Sequence, residues 1–152
     1  MKLSIKLNLK LINILYIWFA NKATALSDIM LLIIRLWIAN VFFSAGLVKI
    51  DDFSNTLYLF ENEYAVPFIN PVFAAYSATF FELVCGTLLA FGLLSRAATL
   101  PLLAMTAVIQ LTYDQNIQHF YWAMLLGVVL THGAGKISAD YLIEKIISKK
   151  VL

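Results

Sequence analysis

Residues 80–86 read FFELVCG, and their glutamate, Glu82, is the only charged group between Pro71 and Arg96. A carboxylate in hydrocarbon costs several kcal/mol, so Glu82 is expected to be neutral, paired, or beside water inside a helix bundle. Three roles fit such a group: a polar contact that fixes helix register, a proton relay or quinone-binding carboxylate, and a charge that holds a substrate. Three further polar residues interrupt apolar runs, namely Arg35 and Asn40 in IIRLWIANVFF and Gln110 in AVIQLTY. At about 1.5 Å per residue from the expected inner helix ends, Glu82, Gln110 and Asn40 reach similar depth, with Arg35 one to two turns lower. The expectation is one intramembrane polar site of Glu82, Arg35, Asn40 and Gln110, in which the register contact would be a hydrogen bond from Glu82 to Arg35 or Asn40.

Other reactive side chains offer less. Cys85 is the sole cysteine, which excludes an internal CxxC couple, and a lone thiol in an apolar run reads as packing. His119 and His132 stand about 20 Å apart along one helix and have no local ligand set, so no metal site is expected. GAGKIS at residues 133–138 fails as a phosphate loop: Leu130 stands where the pattern needs glycine, and Ile137 where it needs Ser or Thr. It reads instead as a glycine stop followed by a capped helix.

The elements that must carry these residues follow from composition. Of 152 residues 62% are hydrophobic and 13% charged, and the mean hydropathy of +0.85 lies outside the soluble range. Crossing an apolar core of about 30 Å takes roughly 20 mainly apolar residues. Such windows fall at about 29–48, 72–94, 97–113 and 119–134, separated by DDFSN, PFINP, SR and DQNIQ. The expected fold is all-α, an integral membrane four-helix bundle with N-terminal and C-terminal amphipathic helices. Residues 1–28 form an interfacial segment, 29–137 the four-span domain, and 138–152 a cytoplasmic amphipathic helix.

Basic residues set the orientation, because retained cytoplasmic segments hold the Lys and Arg excess. With both termini inside, Lys2, Lys6, Lys10, Lys22, Arg96, Lys136, Lys145, Lys149 and Lys150 are cytoplasmic and only Lys49 lies outside. Asp51, Asp52, Glu61, Glu63 and Asp114 make the outer surface acidic. A cleaved signal peptide ending at ATA, residues 23–25, would reverse this arrangement, so the first 28 residues are read as a helix on the inner membrane surface. Lys2, Lys6 and Lys10 then share one face, with Leu3, Leu7, Leu11 and Ile14 on another. Phe53, Leu57, Phe60 and Tyr64 recur at helical spacing in the long outer loop and predict a short helix resting on the outer ends, as an interface anchor or a lid. Ser138 is placed to cap the terminal helix, with Asp140 in its first turn.

The segments RLWIANVFFSAGLVKI, FELVCGTLLAFGLLSRAATL and GAGKISAD together resemble the DoxX family of small four-helix bacterial membrane proteins. The resemblance runs from about Ile33 to Tyr141, through Arg35, Gly46, Lys49, Glu82, Gly86, Gly92, Arg96, Gly133, Gly135, Ser138 and Asp140. Ala134 departs from it, since a proline is common between the last two glycines, and the N-terminal segment is not covered. The family takes its name from a subunit of a thiosulfate:quinone oxidoreductase, and other members are associated with sulfur or redox stress. It also resembles a group of eukaryotic membrane chaperones.

The resemblance implies a bacterial inner-membrane protein acting with partners in a quinone- or sulfur-linked redox system, with quinone as the candidate cofactor. The alternative is a non-catalytic assembly or chaperone partner. A small transporter is a third class, disfavoured because the one-sided basic residues do not suit a dual-topology dimer. Expected partners are the lipid bilayer and either another protein or a second copy, with no nucleic acid.

Overall fold

In the computed structural model the backbone is described for residues 2–64 and 66–151, and the side chains within that range for all but 2–11, 21, 25, 150 and 151. Six helices follow in order: α1 Lys2–Asp51, α2 Phe53–Asn62, α3 Pro71–Phe91, α4 Ser95–Thr112, α5 Ile117–His132 and α6 Ala139–Val151. Their ends carry local reasons. Asp52 caps α2 by accepting from Asn55 N at 2.9 Å, and Asn70 caps α3 through Val72 N, with Pro71 in the first turn. Gly92 stops α3 in the left-handed region at φ +68°, and Leu93 N returns to Leu88 O at 2.9 Å. Asn116 caps α5 through Gln118 N at 3.0 Å.

Among the described residues two helical stretches, Ile12–Asp51 and Pro71–Phe91, are long and apolar enough to cross a bilayer. The expected windows at 72–94, 97–113 and 119–134 correspond to α3, α4 and α5, each displaced by two or three residues at one end or both. At residue 28, where a boundary between segments was expected, α1 continues without a break. The lysine face at Lys2, Lys6 and Lys10 lies outside the described side chains. From Ile12 to Phe19 every side chain is exposed, and only Asn13, the Tyr16 hydroxyl and the Trp18 indole N–H interrupt the apolar surface, so this stretch is largely apolar around its circumference.

α1 packs along α3, α3 on α4, and α4 on α5, while α5 returns to α1. Ile38 and Phe42 of α1, Cys85 and Leu89 of α3, Leu102 of α4, and Leu126 and Val129 of α5 meet in one buried cluster. α1 and α3 approach closely because glycines face the crossing: a Cβ on Gly46 would come within 2.8 Å of Leu83, and one on Gly86 within 3.1 Å of Phe43. That register leaves the first turns of α3 beyond the end of α1. α2 covers them, burying Phe60 against Ala74 and Ala75, with Phe53, Leu57 and Tyr64 packed around, as the aromatic spacing predicted.

Candidate functional site

Glu82 points from α3 at α1, at the height where Gly46 leaves room for it; the glutamate Cβ lies 3.2 Å from a Cβ built on Gly46. Lys49 lies three residues after Gly46, on the same side of α1 and in its last turn. Its Nζ donates to Glu82 Oε1 at 2.8 Å and stands 2.8 Å from Oε2 as well. The ammonium thus sits against both carboxylate oxygens at the same distance. The Glu82 side chain is 8% exposed and that of Lys49 19%, so the lysine carries the pair towards solvent.

Above the pair, between the end of α1 and α2, opens a cleft of about 330 Å³. Its lining includes Lys49, Asp51, Asp52, Asn55, Thr56 and Tyr64. Thr56 ties the walls together by donating to Lys49 O at 3.2 Å and Asp52 O at 3.1 Å. The Tyr64 ring lies edge-on to Phe60 at 4.8 Å and to Tyr113 at 4.7 Å. Burial pushes the Tyr64 phenol above its ordinary range, and Tyr113, Glu63 and Glu82 push the same way. Tyr64 therefore stays a neutral hydroxyl at neutral pH, able to donate or accept a hydrogen bond. The cleft sets one cation and several neutral donors against the two acids Asp51 and Asp52. That balance suits a neutral polar headgroup better than an anion.

The four residues expected to share one site do not converge. Arg35 lies at the α6 end, where Nη1 donates to Ala134 O at 2.7 Å and Nη2 to Ile137 O at 2.9 Å. Asn40 is exposed on the outside of α1. It is six residues from Gly46, about 9 Å along α1 and 240° around it, so it does not face Glu82. Gln110 accepts from Asn116 N at 3.2 Å and lies 2.8 Å from His119 Nδ1, a bond within the α4–α5 turn. Glu82 is thus paired with neither Arg35 nor Asn40. Depth counted from helix ends ignored both the facing of each residue and the register that Gly46 and Gly86 impose. In the sequence Lys49 stands out as the outer basic residue and as part of the DoxX resemblance, but nothing there aims it at Glu82.

A second polar cluster occupies the α6 end. The carboxylate of Asp140 accepts from Leu94 N at 2.7 Å and Ser95 N at 3.0 Å, capping α4 rather than its own helix. Asp140 N also donates to Gly92 O at 2.9 Å. Ser138 caps α6 by accepting from Tyr141 N at 3.2 Å, as expected. Gly92 packs against the Arg35 guanidinium so closely that a Cβ there would collide with Nη1. Lys136 pairs with Asp28 at 3.4 Å, so the GAGKIS turn is engaged with α1.

The DoxX family model matches residues 30–115, more than half of the chain. The chain belongs to the DoxX family. Neither the curated proteins nor the solved structures contain a match to it. The DoxX match spans Arg35, Lys49, Glu82 and Gly92 and ends before the terminal glycines. Yet this DoxX chain packs residues 133–140 against Arg35 and the Gly92 turn, so both stretches serve one end of the helix assembly. As a DoxX protein it is a membrane protein, consistent with its two long apolar helices.

Proposed function

We propose that this DoxX protein is a multi-pass subunit or accessory of a redox system in the bacterial inner membrane, binding a quinone-type headgroup in the cleft above Lys49 and Glu82. In this reading α1, α3, α4 and α5 cross the bilayer within a domain of residues 29–137. Both termini are cytoplasmic, and the α2 end faces outward. The basic residues away from Lys49 and the acidic loop around α2 support that orientation.

The observation that carries the reading is the Lys49–Glu82 ion pair, its carboxylate almost enclosed, with Lys49 on the wall of a cleft of ligand size. Lys49, Thr56 and Tyr64 line the cleft and supply donors for a headgroup carbonyl, and Glu82, behind Lys49 rather than on the wall, supplies a carboxylate that can exchange a proton through the lysine. A quinone, when bound, supplies the electron chemistry. The chain's residues hold the headgroup and exchange protons, and electrons pass to or from a partner redox protein. Asp51 and Asp52 on the cleft wall favour a neutral quinone over a sulfur oxyanion.

The test is purification of the tagged protein from native membranes in mild detergent, with bound quinone and co-purifying proteins measured together and Glu82→Gln in parallel. Quinone present in the wild type and depleted at least severalfold in the variant supports the reading. A stoichiometric partner with no quinone in either form would make the protein an assembly factor and the ion pair a structural contact.

A further inference from the structure

Ile33, Trp37, Asn40, Ser44 and Leu47 are all exposed on α1, at successive spacings of four, three, four and three residues. This is the 3.5-residue repeat along which two parallel helices form a left-handed seam. Asn40 sits in the middle of it, about 16 Å from Asp51 at 1.5 Å per residue, close to the midplane of an apolar core about 30 Å thick. Among the described residues no hydrogen bond reaches its carboxamide or the Ser44 hydroxyl, and acyl chains offer neither donor nor acceptor. Beside the seam, a groove of about 300 Å³ runs between α1 and α3, with Leu36, Asn40 and Phe43 on one wall and Gly86, Thr87 and Phe91 on the other.

We propose that this face of α1 is the interface with a second copy of the same chain, paired through Asn40. Two copies inserted with the same topology bring their α1 helices together in parallel, which sets Asn40 against Asn40 at equal depth. A carboxamide is both donor and acceptor, so the two satisfy each other across a twofold axis. A different protein would need a polar residue at that same depth, whereas a second copy supplies one by symmetry. Ser44, one turn away, is small enough for the backbones to approach, and the groove receives apolar side chains from the partner helix. The interface lies away from the Lys49–Glu82 pair and does not depend on the reading of that site.

The test uses the full chain in phospholipid vesicles at low protein-to-lipid ratio. With Ser44→Cys, mild oxidation should give a disulfide-linked dimer. Leu100→Cys, on the exposed side of α4, and the wild type with its buried Cys85 should not. Adding Asn40→Leu to Ser44→Cys should lower the dimer yield by about threefold to tenfold, and Asn40→Gln should largely preserve it. Because Asn40 is exposed, the leucine leaves the chain's own core unchanged. Equal cross-linking at Ser44 and Leu100, a yield indifferent to Asn40→Leu, or a Ser44→Cys cross-link in native membranes only to a different protein would each overturn the proposal.

Discussion

The Lys49–Glu82 pair shows how a buried charge is tolerated at the edge of an apolar bundle. Glu82 is almost enclosed, and Lys49 extends from it towards the cleft, so the pair is neither stranded in hydrocarbon nor free in water. Removing one partner should therefore harm more than removing both. Glu82→Leu leaves Lys49 facing an apolar wall and should lower stability by about 1–3 kcal/mol, part of the cost of an isolated charge being relieved where Lys49 meets solvent. The double variant Glu82→Leu with Lys49→Met should recover most of that loss, and Glu82→Gln should stay close to the wild type. Thermal unfolding in detergent checks the order of the three. A double variant no better than Glu82→Leu would mean that Lys49 is not the residue that needs Glu82.

Helix ends hold the α6 side together. Asp140 belongs to α6 but caps α4, and Arg35 belongs to α1 but binds the carbonyls of the 134–137 turn. Each contact satisfies backbone groups that a helix end or turn leaves open. Asp140→Ala should cost about 1–2 kcal/mol and Asp140→Asn less, because the amide keeps one acceptor. Gly92→Ala should be worse than either, since alanine there both takes the left-handed conformation and pushes Arg35 off its carbonyls. Loss of folded yield in the order Gly92→Ala, Asp140→Ala, Asp140→Asn is the expected outcome, read by size-exclusion chromatography after extraction. The sequence suggested Ser138 as a cap and Gly133 as a stop from local rules. It gave no sign that Asp140 serves another helix, because that contact joins residues some 45 positions apart.

At the scale of the molecule, the proposed orientation makes the α2 end the outer surface. A cysteine introduced at Asn55, on the wall of the cleft, should react with a membrane-impermeant maleimide on intact spheroplasts. One at Ser148 in α6 should react only after the membrane is opened. The reverse pattern would place the cleft inside and remove the argument that ligands reach it from the outer face. Length also matters at this scale: α1 has 50 residues, about 75 Å at 1.5 Å each, far beyond the thickness of one bilayer. The largely apolar stretch from Ile12 to Phe19 therefore belongs in contact with lipid or protein rather than water.

Composition and hydropathy determined, without coordinates, that this is a helical membrane protein, because the bilayer limits the lengths and side chains a crossing helix can have. Local patterns likewise located α2 through its aromatic spacing, whereas α3 ends at Phe91, three residues before the end of the apolar window at 94. The partner of Glu82 was not legible in that way. A helix presents each residue at an angle as well as a depth, and only the packing of Gly46 against α3 and of Gly86 against α1 fixed which angle and height of α1 faced the glutamate. Tertiary structure thus replaced Arg35 and Asn40 with Lys49, and it turned a supposed cluster of four polar residues into a lock at one end, a turn between α4 and α5, an exposed amide, and an ion pair beneath an open cleft.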